Sequence, residues 1–251
     1  MRLIRAEVLK LVRRRGLMTW SLILTVGAVV VAETIVVALH AFNPAHHGPA
    51  GGANNLDNYM FLVSGLGTVA AILIGATAGT QDVGNGVFRD LVVTGRKRAT
   101  LFNVRVPGAL LVILPMVAAA FAIAVGGAFL FSGSLADPSW SDVAKYGEYI
   151  VASMVVNVVV AVGLASFASS RVVVGVLIAW NAIVGPLLAH ISVLGSVRKG
   201  LDIAATQHFL PLHNGNTPGV TMTTGTALLV LAVWVLLFSS AGRWWTNRRD
   251  G

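Results

Sequence analysis

Residues 80–105 read Thr-Gln-Asp-Val-Gly-Asn-Gly-Val-Phe-Arg-Asp-Leu-Val-Val-Thr-Gly-Arg-Lys-Arg-Ala-Thr-Leu-Phe-Asn-Val-Arg. This polar, basic stretch separates two long apolar runs, and that contrast decides the fold. Apolar runs of about 20 residues match a hydrocarbon core of roughly 30 Å. A segment holding Asp82, Arg89, Arg96, Lys97, Arg98 and Arg105 between two such runs is a connection outside the membrane. Within it Gly84 and Gly86 permit a tight turn. Val87, Phe88, Leu91 and Val92 then make one apolar face of a short helix, with Arg89 and Asp90 at its side.

The rest of the chain has the composition this reading requires. Of 251 residues, 56% are hydrophobic and 11% charged, with a mean hydropathy of +0.79. A soluble domain carries roughly a quarter charged residues, so the chain is an integral membrane protein. Without cysteine it has neither disulfides nor thiolate metal ligands. The isoelectric point near 10.8 would suit nucleic acid, but the basic residues fall in short segments between apolar runs. They are topology signals and contacts for anionic lipid, and no nucleic-acid partner is expected.

Outward from the central stretch, residues 1–16 form an amphipathic interfacial helix. Leu3, Ile4, Val8, Leu11 and Val12 recur at helical spacing, opposite Arg2, Arg5, Lys10 and Arg13. A signal peptide is the competing reading; the next apolar run is too long for one and lacks a cleavage site. Glu7 falls near the apolar arc and needs a local partner, Lys10 or Arg14. Six spans come after it, at about 17–39, 59–78, 104–131, 146–168, 172–194 and 224–241, within a transmembrane domain of 17–241. The inner loop covers 79–103, the outer loop before the last span 195–223, and the tail 242–251. Val197, Leu201, Ile203, Phe209 and Leu212 suggest a short surface or re-entrant helix in that outer loop. Pro115 should kink the third span.

Charge sets the topology. With six spans, fifteen of the 18 Lys and Arg residues fall on one side, and only Lys145, Arg198 and Lys199 on the other. The positive-inside rule makes the rich side, with both termini and the 80–105 loop, cytoplasmic.

Polar residues within spans are functional candidates by default. Glu33, Asn157, Asn181 and His190 are the candidates for a substrate path. Each has a plainer alternative: Glu33 hydrated or paired near the outer interface, the others bonding helix to helix. Gly67, Ala71, Gly75 and Gly79 repeat every fourth residue and form a small-residue seam for close helix packing, whose partner helix the pattern does not identify. Ser153, Asn157, Ala161, Ala165 and Ser169 share one face at the same spacing. His40, His46 and His47 sit in a Gly/Pro-rich loop and read as solvated side chains, so no metal site is expected.

The chain offers no catalytic constellation. There is no Gly-x-x-x-x-Gly-Lys-Ser/Thr phosphate loop and no His-Glu-x-x-His, and Ser64-Gly65 lacks the preceding glycine of a nucleophile elbow. An enzyme is not expected, and work against a gradient needs energy from another chain or from an ion.

Asp82, Asn85-Gly86, Arg89, Leu91-Val92 and the basic knot at Arg96, Lys97 and Arg98, with Glu7-x-x-Lys10 near the start, resemble ABC-2 type transporter permeases. The resemblance covers nearly the whole length: elbow helix, six spans, inner loop and a helical outer loop. Where that family tends to have Glu, then Asn-Gly-Thr, then Arg, this chain has Asp82, Asn85-Gly86-Val87 and Arg89, and Arg105 replaces a common Lys. The resemblance implies a coupling helix between the second and third spans, contacting an ATPase through Asp82, Asn85, Gly86, Phe88, Arg89, Leu91, Val92 and Arg96. It implies two ATP-binding cassette subunits that carry ATP and Mg, a second permease chain, like or unlike, and a bacterial cell membrane. This chain itself would bind no cofactor. The expected activity is export of an amphipathic, lipid-like or drug-like molecule. The alternative from a different class is an ion-driven carrier that uses Glu33, Asn157 and His190 as a polar relay.

Overall fold

The computed structural model describes residues 2–84, 93, 95, 97–211 and 220–248. Among them the chain is all-helical, and six helices are long and apolar enough to cross a membrane. A first helix, α1 (Arg2–Val12), is followed by α2 (Arg15–Phe42), α3 (Ala53–Gly84) and α4 (Arg98–Leu130). Then come α5 (Trp140–Leu164), α6 (Ser170–His190), the short α7 (Asp202–Gln207) and α8 (Thr224–Arg248).

Burial sorts the six long helices. In α3 and α5, 61% of the most apolar stretch is buried, against 11% in α2 and 22% in α6 and α8. Helices α3 and α5 are therefore the centre of the bundle, α4, at 44%, packs partly into it, and α2, α6 and α8 form the rim. Lipid tails are as apolar as leucine, so the hydrophobic effect does not hold such helices together; close packing and interhelical hydrogen bonds do. The Gly67–Gly79 seam of α3 shows how. A Cβ on Gly75 would lie 2.8 Å from Ala161 Cβ and 3.1 Å from the Val158 carbonyl, and Gly79 meets Ala165 and the Val162 carbonyl in the same way. The small-residue stripe of α3 thus lies against that of α5. At Gly163 the opposite face of α5 receives Phe238 of α8.

Several boundaries differ from the sequence expectation, and each has a local cause. Helix α3 starts at Ala53 rather than near Tyr59, because Asn55 caps the preceding chain by donating to the Pro49 and Gly51 carbonyls at 2.9 and 2.8 Å. It also runs on to Gly84, so Asp82 is a helical residue and the connection between α3 and α4 is narrower than the expected 79–103. Helix α5 starts early, at Trp140, where Ser139 caps it by accepting from the Asp142 N–H at 3.1 Å. It ends at Leu164 rather than near 168, and α6 ends at His190 rather than 194 because Ile191 is extended. Pro115 lies inside α4 without interrupting the helix. The last helix continues through Arg248, where the guanidinium sits 4.2 Å from the Trp244 ring centre, so most of 242–251 is helix rather than tail.

Candidate functional site

One end of the bundle collects the groups around the 80–105 stretch. Here α1 crosses the start of α4, and a Cβ on Gly108 would lie 2.7 Å from Glu7 Cβ, so the two backbones nearly touch. Lys10 donates to Glu7 Oε1 at 2.5 Å and to Asp82 Oδ1 at 2.7 Å. Arg105 lies 3.6 Å from Asp82 Oδ2 and donates to the Gly79 carbonyl at 3.0 Å. Asp82 and Arg105 are almost wholly buried, at 3% and 1% exposure. An acid near the C-terminal end of a helix opposes the helix dipole, and two cations offset that here. Burial raises the Glu7 carboxyl above its ordinary value, and Lys10 opposes that shift.

This cluster joins α1, the end of α3 and the start of α4, the two helices that flank the 80–105 stretch. Helix α8 ends nearby: Arg98 donates to the Asn247 carbonyl at 3.3 Å, and a Cβ on Gly242 would meet the Phe102 ring. Asn85, Gly86, Phe88, Arg89, Leu91, Val92 and Arg96 lie outside the described residues. Of the residues the resemblance assigns to the ATPase contact, Asp82 is described, and it points inward to Lys10 and Arg105 rather than outward.

The second feature is a cavity of ≈ 410 Å³ between α3, α5, α6 and α7. The local sequence of α6 shapes it. Around Trp180–Val184 the helix widens to a π turn, with the Gly185 N–H donating five residues back to the Trp180 carbonyl. The next residue, Pro186, has no N–H, so the regular ladder is already broken there. Asn181, in the widened turn, donates to Asn157 Oδ1 and to the Leu177 carbonyl, both at 2.9 Å. Asn157 donates to the Ser153 carbonyl at 3.0 Å, and Ser153 Oγ lies 3.4 Å from Thr68 Oγ1 of α3. A polar ladder therefore crosses from α6 through α5 to α3 along one cavity wall.

Helix α7 closes the cavity on another side. The 195–223 segment expected to hold a helix does hold one, and Asp202 to Thr206 are all buried, so α7 is inserted among the long helices rather than laid on a surface. Ile203 fits against Gly185, where any side chain would collide with it. Asp202 accepts from Trp180 Nε1 at 3.0 Å, and Trp234 Nε1 donates to the Gly200 carbonyl at 2.9 Å. Burial raises the Asp202 carboxyl, and the Trp180 N–H bond opposes this.

The four residues considered for a substrate path do not share one site. Asn157 and Asn181 line the cavity together. Glu33 packs instead on Gly127 of α4, outside the cavity. His190 is exposed, with Nδ1 2.7 Å from the Pro186 carbonyl. In the 43–52 loop His46 Nδ1 lies 3.1 Å from Asn43 Oδ1, and His40 Nδ1 lies 2.7 Å from the His47 carbonyl. Sequence reasoning missed Asp202, Tyr149, Thr68 and Thr206 in the cavity wall. The available signal was an acid followed directly by Ile-Ala-Ala in the segment before the last long helix, a composition that suits an inserted helix. No model of a known protein family matches the chain, and no curated protein matches its sequence.

Proposed function

We propose that this chain is the membrane subunit of an ATP-driven exporter of the ABC-2 type, in a bacterial cell membrane. Two permease chains assemble with two separate ATP-binding subunits, which hold the ATP and Mg. Both termini and the connection between α3 and α4 face the cytoplasm, where the basic residues concentrate. Helix α1 lies along that interface as an elbow, its arginines among anionic headgroups. The weakly buried rim helices, α2 above all, present apolar faces to lipid and to the second permease.

The observation that carries this reading is the charge cluster of buried Glu7, Asp82 and Arg105 with the half-buried Lys10. A motor that pushes on the inner connection moves cargo only if the push reaches the spans. The cluster ties both ends of that connection to each other and to α1, which supports a lever with a stiff base. Phe88, Leu91 and Val92 would be its apolar anchors, and Arg89 and Arg96 its polar contacts with the motor.

The test is co-expression with candidate ATP-binding subunits, followed by purification and reconstitution. A soluble ATPase should purify with this chain in stoichiometric amount, and transport into vesicles should need ATP. Phe88→Ala combined with Arg89→Glu should leave the complex folded and still hydrolysing ATP, with transport lost. Motor-free transport by the chain alone overturns the proposal. The ion-driven alternative receives less support, because Glu33, Asn157 and His190 occupy three separate places.

A further inference from the structure

We propose that the cavity between α3, α5, α6 and α7 binds a cationic amphiphile, an apolar molecule carrying a protonated amine, with Asp202 as its counter-charge. The volume of ≈ 410 Å³ lies within the range of small-molecule sites, about 300–1,000 Å³. Its wall mixes apolar surface from Phe61, Ile72 and Ile203 with a few polar groups, the composition that holds a greasy body and orients one end.

The sign of the ligand comes from the wall. Among the described residues neither Lys, Arg nor His lines the cavity, and Asp202 is its one formally charged side chain. Asp202 is 5% exposed and takes part in none of the ion pairs among the described residues. A buried carboxylate is costly without a cation. The Trp180 N–H at 3.0 Å offsets part of that cost and holds the carboxylate in place.

The neutral groups point the same way. Asn181 uses both Nδ2 hydrogens, on Asn157 Oδ1 and the Leu177 carbonyl, so it offers the cavity its carbonyl oxygen. Thr206 donates its hydroxyl to backbone carbonyls of its own helix, which leaves oxygen lone pairs. These groups therefore present acceptors, beside the amide of Gln207, which can donate or accept. An ammonium group brings three donors and a positive charge, whereas an anionic headgroup would meet a carboxylate and further acceptors. This inference names the cargo class for the export reading, and rests on that reading only for the transport step after binding.

The test is equilibrium binding to the purified full-length chain in nanodiscs of phosphatidylcholine, with no ATPase present. The probes are three dansyl-labelled undecyl chains ending in an amine, an alcohol and a carboxylate. The amine should bind about ten-fold tighter than the alcohol, as a charge-assisted hydrogen bond allows, and the carboxylate weakest. Asp202→Asn, which can still accept from Trp180, should bring the amine down to the alcohol's affinity. Gly65 lines the cavity, and a Cβ there meets nothing within 4 Å; Gly65→Phe should therefore fold and exclude all three probes. Carboxylate binding as tight as the amine's overturns the proposal. So does an amine affinity unchanged in both variants, which would mean partition into the bilayer only. If Asp202→Asn does not fold, the probe series with Gly65→Phe still decides. Because no motor is present, a negative result leaves the ATP-driven reading standing, while motor-free transport would sink that reading without touching this one.

Discussion

Lys10 Nζ lies 2.7 Å from Asp82 Oδ1, a contact between residues 72 apart in the chain. It fastens the first helix to the C-terminal end of α3, and Arg105 completes the arrangement from α4. The charges are not equivalent. The Lys10 side chain is 30% exposed, while those of Asp82 and Arg105 are 4% and 1% exposed.

That asymmetry sets the first prediction. Removing one member of a buried charged pair strands the other, at about 3–5 kcal/mol. Asp82→Asn should lower the thermal midpoint of the purified chain strongly. Lys10→Met should do so much less, because water can still reach its site. Equal losses in the two variants, read by intrinsic fluorescence during heating, would contradict this ranking.

The α3–α5 seam supplies the second. Gly75→Ala places a methyl against Ala161 and the Val158 carbonyl, and overpacking of this kind costs about 1–3 kcal/mol. Ala161→Gly in the same chain should recover part of the loss, since the Val158 carbonyl remains. Gly65→Ala should be neutral, because that Cβ meets nothing. A double-mutant cycle from thermal unfolding measures all three, and a Gly75→Ala variant as stable as the parent would mean the helices are free to separate.

The Asn157–Asn181 bond gives a smaller number. Interhelical hydrogen bonds in membrane bundles are worth about 0.6 kcal/mol on average. Asn157→Ala and Asn181→Ala should each cost about that much, and the double variant should cost less than the two losses combined. Strict additivity in a denaturant-titrated cycle would mean that the two amides do not interact.

Glu33 separates the two transport readings. It packs on Gly127, away from the cavity, so Glu33→Gln should leave ATP-driven transport by the reconstituted complex within about two-fold of the parent. The two-fold window corresponds to about 0.4 kcal/mol. Loss of transport, with ATPase activity intact, would favour a proton or ion path through that carboxylate.

Much of this protein was legible in its sequence. The length and spacing of the apolar runs determined six helices long and apolar enough to cross a membrane, because backbone groups in hydrocarbon must be bonded within their own segment. The crowding of basic residues into alternate connections set the expected topology, and Gly67, Ala71, Gly75 and Gly79 announced a packing face by period alone. The partner of that face was not legible. Only the tertiary structure matched it to Ala161 and Ala165, since small-residue stripes occur on more than one helix and shape complementarity is a property of pairs. The same holds for charge. Helical spacing alone shows that Glu7 needs a local partner, and Lys10 is one; that Lys10 also reaches Asp82, with Arg105 behind it, depends on how α1 crosses α4. The cavity is the clearest case. Asn157 and Asn181 stood out as polar residues in spans, but Asp202 became part of their site only when α7 folded inward and Ile203 settled against Gly185, a contact between distant segments that no local pattern encodes.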